Sequence, residues 1–462
     1  MIESNSVMVP RSLPKTLLIL FISIYGYWGF MVTKLAMNPM FILFPLCMTV
    51  VFGYVVLKSY YRNQADYGFY LFFIFLILGF IINTAVVDAN RAEYVWGTWK
   101  SIGRFDFSDN QYLLFWVIVS VGFLGVIFGT RMAKRLSALT FKNISLHSNF
   151  VHKNIGFSLI LWFVLGIVIQ LVMWKYSIGM HTVKTTIDLP FKLNGAMVFY
   201  RDAMHILILG YILSHIGRRR GLKKRYLLLI AIEALVATMT SLSKSAIVFR
   251  FAPIILFYFI NRRISIKRFF FIFVLMIPVL SLLVLGMNVI RISNISGNDS
   301  IVIAKDLFDV FDPLKFIGLA MDRVTGAPEL MAIVSYTNHS YETLMNFWSG
   351  SMGDHNIVFY GLDLGDKMGS KGLTFFGVWY LSGSFALVFV ASTVISFVVT
   401  LFEKLWQSKG LYFLSCFSSV LLAFSLYARG GNRAFYSIIM CIVFYYFIVL
   451  MKKMRTKKRI AG

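Results

Sequence analysis

Charge is scarce in this sequence. Only 14% of its 462 residues are charged and 58% are hydrophobic, whereas soluble domains carry about 25% charged residues. The mean hydropathy of +0.75 is correspondingly high. A helix that crosses a bilayer needs roughly 20 apolar residues, because each backbone amide must find its hydrogen-bond partner within the segment. The composition excludes an ordinary soluble enzyme and predicts a protein that crosses a membrane many times.

The sequence also lacks the motifs of familiar enzyme classes. It has no GxSxG, P-loop or DxD segment, so it offers no support for a hydrolase, a nucleotidase or a sugar-nucleotide enzyme. The three cysteines, Cys47, Cys416 and Cys441, lie in apolar stretches and cannot form an outer disulfide or a cysteine-metal site. His339 and Glu342 have an i, i+3 spacing, but the other histidines lie on different elements. We expect neither a metal nor a cofactor.

Apolar stretches recur along the whole chain. They predict an all-α bundle of about twelve transmembrane helices, forming a single transmembrane domain over residues 1–462. Residues 203–216 are short for a span unless residues 199–202 add a turn, and residues 240–245 are a tight link that is also compatible with a break in one re-entrant hairpin. The predicted spans are residues 17–32, 40–57, 67–87, 112–130, 155–174, 203–216, 227–243, 246–260, 269–287, 376–402, 411–428 and 435–451.

The charges are sorted between the two ends of these spans. More than half of the basic residues fall in alternate connecting segments, including GRRRGLKKRY at residues 217–226 and the C-terminal tail. Of the acids, only Glu3, Asp66 and Glu403 fall on that same side, and Glu233 falls within a span. Positive charge marks the cytoplasmic side, so we expect both termini there. The formal charge of +25 then indicates contact with anionic membrane lipid rather than nucleic acid.

One large outer loop, residues 288–375, holds most of the plausible chemistry. Its segment IAKDLFDVFDPLKFIGLAMDRV has apolar residues at helical spacing and predicts an interfacial helix. Arg323 lies near the end of this segment, and Glu329 and His339 lie further along the loop. A glycosyl transfer needs a base that takes the proton of the attacking hydroxyl, and a carboxylate or an imidazole can do so. Glu329 and His339 are among the loop residues that could take that proton.

Cations recur near the predicted outer boundary of the membrane. Such cations are costly there and suggest function, although snorkelling to lipid phosphate is the alternative for each. Arginine suits pyrophosphate because its planar fork makes two parallel hydrogen bonds. The candidates for pyrophosphate contacts are Lys244, Arg291, Arg201, Arg250, Arg429 and Arg433.

Glu233 is the acid predicted within a span. An isolated carboxylate in a membrane needs a partner, and Arg250 on the next antiparallel helix lies at a similar depth. We expect a structural ion pair between these two residues. A proton or substrate relay through Glu233 is the alternative.

Three segments carry a resemblance to a known family. The first, TSLSKSAIVF at residues 240–249, resembles a Ser-Arg-small turn with lysine in place of arginine. The second, DRVTGAPEL at residues 322–330, resembles an Arg-x-x-Gly loop segment. The third, TFFGVWYLSGSFALVF at residues 374–389, resembles the entry into the following span. The final outer turn, ARGGNR, also fits. In these features the chain resembles the O-antigen polymerases (Wzy-type oligosaccharide repeat-unit polymerases) of the polymerase and ligase superfamily.

The resemblance implies a GT-C-like, metal-independent glycosyltransferase of the bacterial inner membrane with a periplasmic active site. It would polymerise oligosaccharide repeat units linked to undecaprenyl pyrophosphate, which serve as donor and acceptor, and a chain-length regulator protein is a possible partner. The resemblance implies that Glu329 or His339 is the acceptor base. The pyrophosphate would be contacted by Lys244, Arg291 and Arg323, with Arg201, Arg250, Arg429 and Arg433 behind them. His339-Ser340 followed by Gly350 and Gly353 also fits the H-[NSQ]-x9-G-x2-G pattern of O-antigen ligases, which join finished polymer to lipid A-core. A lipid-linked oligosaccharide flippase is the further alternative.

Overall fold

The computed structural model describes residues 40–61, 66–84, 108–141, 148–180, 185–190, 193–216, 222–241, 245–260, 326–349, 374–425 and 432–460, together with isolated positions at 22, 25, 26, 29, 146, 286 and 289. These residues are 87% helical and include no strand. The all-α prediction is confirmed for this part of the chain.

Several helices have the length and composition of membrane spans. Within the described ranges, four are long and apolar enough to cross a bilayer: Asp109–Thr140, Ile155–Lys175, Leu193–Ser214 and Phe385–Ser408. Shorter apolar helices cover Ile42–Val55, Tyr67–Ile82, Ala246–Tyr258, Tyr412–Phe424 and Tyr436–Lys452. The described part of the chain is all-helical, with apolar helices typical of a membrane protein, and a total of about twelve spans stays a prediction.

The chain divides into two compact units. The first unit comprises Met1–Thr130, Ile317–Asp363 and Ser370–Ser396. Among the described residues, its helices are α1 (Met40–Tyr61), α2 (Tyr67–Phe75) with a following π-helical turn (Leu76–Ile82), the first part of α3 (Asp109–Thr140), α10 (Ala327–Ser335), α11 (Tyr341–Ser349), α12 (Phe375–Tyr380) and the first part of α13 (Phe385–Ser408).

Glycines of α3 allow a very close crossing with α13 in the first unit. A methyl group at Gly125 would lie 2.6 Å from the backbone oxygen of Phe389, and one at Gly129 would collide with the backbone oxygen of Thr393. A spacing of four residues puts both glycines on one helix face. The G-x-x-x-G pair therefore lets the two backbones touch, as small residues do at helix contacts in membranes.

The second unit comprises Arg131–Phe316, Leu364–Gly369 and Phe397–Gly462. The helices that lie wholly within it are α4 (Asn149–Lys153), α5 (Ile155–Lys175), α6 (Leu193–Phe199), a π-helical turn (Tyr200–Met204), α7 (His205–Ser214), α8 (Lys224–Ser241), α9 (Ser245–Ile260), α14 (Tyr412–Phe424) and α15 (Asn432–Ile460). Helix α8 packs against α5 and α9, while α14 packs against α7 and α9. Ser214 Oγ accepts a hydrogen bond of 2.9 Å from the Leu414 amide and ties α7 to α14.

Two predicted spans have different ends in the structure. The short span at residues 203–216 is extended at its N-terminus by α6 and the π-turn, so the continuous helix begins at Leu193. The predicted span at residues 376–402 is interrupted after α12 by a turn in which Gly383 has φ of 75°, a conformation that favours glycine. Helix α13 then continues to Ser408 and includes a buried Glu403, which we had assigned to the cytoplasmic segment.

Candidate functional site

The predicted site residues differ in how far the structure describes them. Arg323, Lys244, Arg291 and Arg429 lie outside the described residues, and Arg433 is described only as part of the backbone of α15. The side chains of the other four are described. Glu329 and His339 belong to the first unit, and Arg201 and Arg250 belong to the second.

Glu329 lies in the first turn of helix α10 in the first unit. Its carboxylate reaches back and accepts a hydrogen bond of 2.7 Å from the Gly326 amide, closing the end of the helix, and the side chain is buried. Gly326 packs closely against the π-helical turn Leu76–Ile82, and a methyl group on Gly326 would overlap the backbone of Gly79. The Arg-x-x-Gly segment therefore ends in a glycine that close packing requires, and Glu329 supports that arrangement.

His339 lies four residues beyond the other end of α10. Its Nε2 atom is 3.0 Å from the carbonyl oxygen of Ile333. A carbonyl only accepts hydrogen bonds, so Nε2 carries a proton and the neutral ring has its lone pair on Nδ1. The ring also lies edge-on to Tyr336 and packs against Tyr380, with centroids 6.1 and 4.9 Å away. The imidazole is thus held in one tautomer and one orientation.

The surroundings of His339 favour its neutral form. The side chain is half-buried, and burial lowers its pKa from the usual value near 6.5, an effect that the hydrogen bond to Ile333 opposes. A neutral imidazole with an available Nδ1 lone pair can accept a proton from an attacking hydroxyl. His339 therefore has the chemical state that a general base requires.

Glu329 and His339 do not form a pair. They lie at opposite ends of the nine-residue helix α10, which is about 13 Å long at 1.5 Å per residue. Ile333, whose carbonyl holds His339, is one turn after Glu329. The two residues therefore stay alternative candidates for the base, and of the two His339 is the less buried.

Arg250 and Glu233 form an ion pair in the second unit. Arg250 Nε and Nη2 both donate to the Glu233 carboxylate, the latter over 2.8 Å, and Nη1 donates to the carbonyl oxygen of Ala246. Both side chains are buried. The predicted ion pair is confirmed, and the fork that we had expected to bind pyrophosphate is occupied by this carboxylate.

Other polar groups surround the pair. Gln170 of α5 donates to Glu233 Oε1 over 2.6 Å, and Thr240 of α8 donates to Gln170 Oε1 over 2.9 Å. His205 Nε2 lies 3.3 Å from the same carboxylate oxygen. Four helices, α5, α7, α8 and α9, thus converge on Glu233, forming what we call the Glu233 cluster.

Arg201 lies one residue into the second π-turn. Its Nε donates to Asp202 over 2.7 Å, and its Nη1 donates to the carbonyl oxygen of Gly179 over 3.3 Å. The side chain of Arg201 is buried whereas that of Asp202 is partly exposed. Arg201 therefore anchors the turn after α5 to the helix that also carries His205.

Our sequence reasoning missed His205, Gln170 and Thr240 as members of one cluster, and it missed Tyr200, whose hydroxyl lies 3.4 Å from His205 Nδ1. The available signal was the presence of His205 and Gln170 in otherwise apolar stretches, where polar side chains are costly and normally have partners. The spacing of Tyr200 and His205 carries no signal for an ordinary α-helix, because residues five apart meet only in a π-turn.

Comparison with known proteins adds no further assignment. No protein-family model, curated protein or solved structure matches this chain.

Proposed function

We propose that this protein is an integral-membrane glycosyltransferase that polymerises oligosaccharide repeat units linked to undecaprenyl pyrophosphate. The observation that best supports the proposal is the state of His339, a half-buried imidazole whose Nε2 proton is bound by Ile333 and whose Nδ1 can act as a base. It follows the Arg-x-x-Gly segment on which the family resemblance partly rests.

In the proposed reaction, a hydroxyl at the nonreducing end of the new repeat unit attacks the anomeric carbon of the growing glycan. His339 Nδ1 takes the hydroxyl proton while the new glycosidic bond forms. The bond from the anomeric carbon to the pyrophosphate breaks, and the pyrophosphate leaves with that electron pair. Arg323, Lys244 and Arg291 would stabilise the charge of the leaving group, since arginine and lysine can do so without a metal.

Arg250 has a different part in this proposal. Its guanidinium is bound to Glu233 and to the carbonyl oxygen of Ala246, so it holds together the hairpin of α8 and α9. Lys244 belongs to the three-residue link of that hairpin. The ion pair would therefore support this hairpin rather than contact the pyrophosphate.

Purified protein in lipid provides the direct test. Supplied with lipid-linked repeat units and no partner protein, it is expected to produce a ladder of longer lipid-linked glycans. A His339→Gln variant should be inserted and folded but inactive, because glutamine can still donate to Ile333 and lacks the basic nitrogen. Failure of the wild-type protein to lengthen these substrates under any tested condition would reject the proposal.

Ligation of finished polymer to lipid A-core is a second candidate, favoured by the His339-Ser340, Gly350 and Gly353 pattern. Deletion of the gene separates the two activities. Surface polysaccharide consisting of core plus one repeat unit indicates a lost polymerase, and core alone indicates a lost ligase or an earlier step.

Transport of the lipid-linked oligosaccharide is a third candidate, which the Glu233 cluster favours because buried charges in membrane bundles often mark transport pathways. Protein that moves repeat units across a liposome bilayer without lengthening them would support transport.

A further inference from the structure

The surroundings of His205 suggest an activity for the Glu233 cluster besides holding helices together. The imidazole is stacked on the Trp162 indole, with ring centroids 4.5 Å apart and planes inclined by 11°. Trp162 also donates a hydrogen bond of 2.9 Å to the His205 carbonyl oxygen. A methyl group at Gly166 would lie 2.6 Å from His205 Nε2, so glycine leaves room for the ring beside Glu233. Trp162 therefore holds one face of the imidazole ring, and the Nε2 edge of the ring fits between Gly166 and Glu233.

The second π-turn brings Tyr200 to the other edge of the same ring. Residues five apart lie on one side of a π-turn, and the Tyr200 hydroxyl is 3.4 Å from His205 Nδ1. Tyr200 is half-buried, whereas His205 and Glu233 are buried. A chain of polar groups thus leads from Glu233 through His205 to a hydroxyl closer to the surface of the unit.

The partners of His205 suit both of its protonation states. Nε2 carries a proton in both states and faces the Glu233 carboxylate. In the neutral ring, Nδ1 accepts from the Tyr200 hydroxyl, whereas in the imidazolium Nδ1 donates to the oxygen of the same hydroxyl. The stacked Trp162 face also favours a cation. His205 Nδ1 can gain or lose a proton while it keeps the Tyr200 hydroxyl as its hydrogen-bond partner, and Nε2 stays close to the Glu233 carboxylate.

His215, ten residues further along the chain, shows the opposite arrangement. Its Nδ1 is 2.8 Å from the Tyr211 carbonyl oxygen, to which it donates, and its Nε2 accepts a hydrogen bond of 2.8 Å from the Ser148 amide. A proton on Nε2 would break the bond to Ser148, because an amide cannot accept in its place. His215 is therefore held in its neutral form and serves as a built-in comparison.

We propose that His205 is a proton-binding site within the helix bundle, loaded at Nδ1 through Tyr200 and balanced by Glu233. Among the described residues, the charged and titratable groups that face it are Glu233 of α8, Arg250 of α9 and Tyr200 of its own helix. Arg250 neutralises Glu233 when His205 is neutral, and the proton adds one positive charge to the cluster. Proton uptake reverses the direction of the hydrogen bond between His205 and Tyr200.

Nitrogen NMR of the full chain in lipid, with only its histidines labelled with 15N, tests the proposal directly. The chemical shifts of the two ring nitrogens distinguish the two neutral tautomers from the imidazolium. As pH falls from about 8 to about 5, the range in which histidines titrate, the His205 signal is expected to change from the Nε2-protonated tautomer to the imidazolium. The His215 signal should keep its Nδ1-protonated form.

Two variants assign the signals. His205→Gln removes the signal that belongs to His205 and leaves those of the other histidines, since glutamine can still face Glu233 but binds no proton. Tyr200→Phe keeps the ring and should shift the pH midpoint of the His205 signal while leaving that of His215 unchanged. A wild-type His205 signal that stays constant over this range, or one that shows the Nδ1-protonated tautomer at pH 8, would overturn the proposal even if the His205→Gln variant fails to fold. The measurement needs no substrate, so it stands apart from the test of glycan polymerisation.

Discussion

Arg250 and Glu233 join the two arms of the α8–α9 hairpin through a two-point ion pair, with Nη2 and Oε1 2.8 Å apart. The pair lies across a link of only three residues, 242–244. Because the two charges are buried and satisfied by each other, by Gln170 and by the Ala246 carbonyl oxygen, the hairpin has one strongly preferred register. A single re-entrant unit and two separate spans are both compatible with this geometry.

Breaking the Arg250–Glu233 pair from one side should destabilise the second unit. Arg250→Met leaves a buried carboxylate without its cation, which typically costs about 3–5 kcal/mol. The double variant Arg250→Met/Glu233→Gln removes both charges and should regain much of that loss. Unfolding of the purified protein in mild detergent, followed by helical circular dichroism, measures the difference. Equal stability of the wild type and Arg250→Met would contradict a stabilising pair.

Gly326→Ala should severely disturb the first unit. The added methyl group would overlap the backbone of Gly79, which cannot turn away as a flexible side chain can. We expect a loss of several kcal/mol, at the upper end for single substitutions at about 4 kcal/mol or more. The matched control is Gly195→Ala in α6, where a methyl group has nothing within 4 Å and alanine favours the helix by up to about 1 kcal/mol. Thermal unfolding of both variants provides the comparison, and similar stability would refute this packing.

The activity of the protein should depend on His339 and on pH. Since burial lowers the pKa of His339, its neutral form persists below the usual pKa of about 6.5, and elongation should decline only at lower pH. The lowered pKa also affects the free energy of unfolding: His339 contributes stability above about pH 6.5, and this contribution is lost as pH falls. Initial rates of elongation between pH 5 and 8, a range of about three units, measure this limb.

His339→Gln is expected to lower the rate by about 100-fold or more, as the loss of a general base does. The residual activity should no longer show the acidic limb. Glu329→Gln retains an oxygen that accepts from the Gly326 amide, so it should keep both fold and rate. An inactive but folded Glu329→Gln protein would transfer the role of base from His339 to Glu329.

Arg323→Ala should abolish chain elongation while the protein remains inserted and folded. The loss of one group that stabilises developing charge typically costs about 100-fold to 1,000-fold in rate. Arg323→Lys should retain part of the activity, and Lys175→Ala, a change of a basic residue at the end of α5, is the control. Normal long polymer from Arg323→Ala in a deletion strain would remove Arg323 from the site.

Among the described residues, apolar periodicity predicted the helices, because a stretch that can span a membrane must be apolar over most of its length. It anticipated the hairpin near residue 240 and, from the cost of an isolated charge, the partner of Glu233. It placed helix ends less well. Glu403 was read as a residue beyond a span, yet it is buried near the end of α13, where Ser419 Oγ donates to its carboxylate over 3.2 Å.

The residues that form the Glu233 cluster could not be predicted from the sequence, because their contacts depend on tertiary packing. Gln170 and His205 lie on separate helices, and their meeting depends on how those helices pack. The role of Gly326 likewise depends on Gly79, which is far away in the sequence. Tertiary contacts of this kind leave no periodic pattern, so only the individual polar or small residue hints at them.

The π-helical turn Tyr200–Met204 sets how the two halves of the helix from Leu193 to Ser214, α6 and α7, are rotated relative to each other about the helix axis. An α-helix advances about 100° per residue, so deleting one residue from Tyr200–Met204 would rotate α6 by about that amount relative to α7. Neither half would change its sequence. The number of residues in this turn, as much as their identity, allows His205 to face Glu233 while Arg201 reaches the carbonyl oxygen of Gly179.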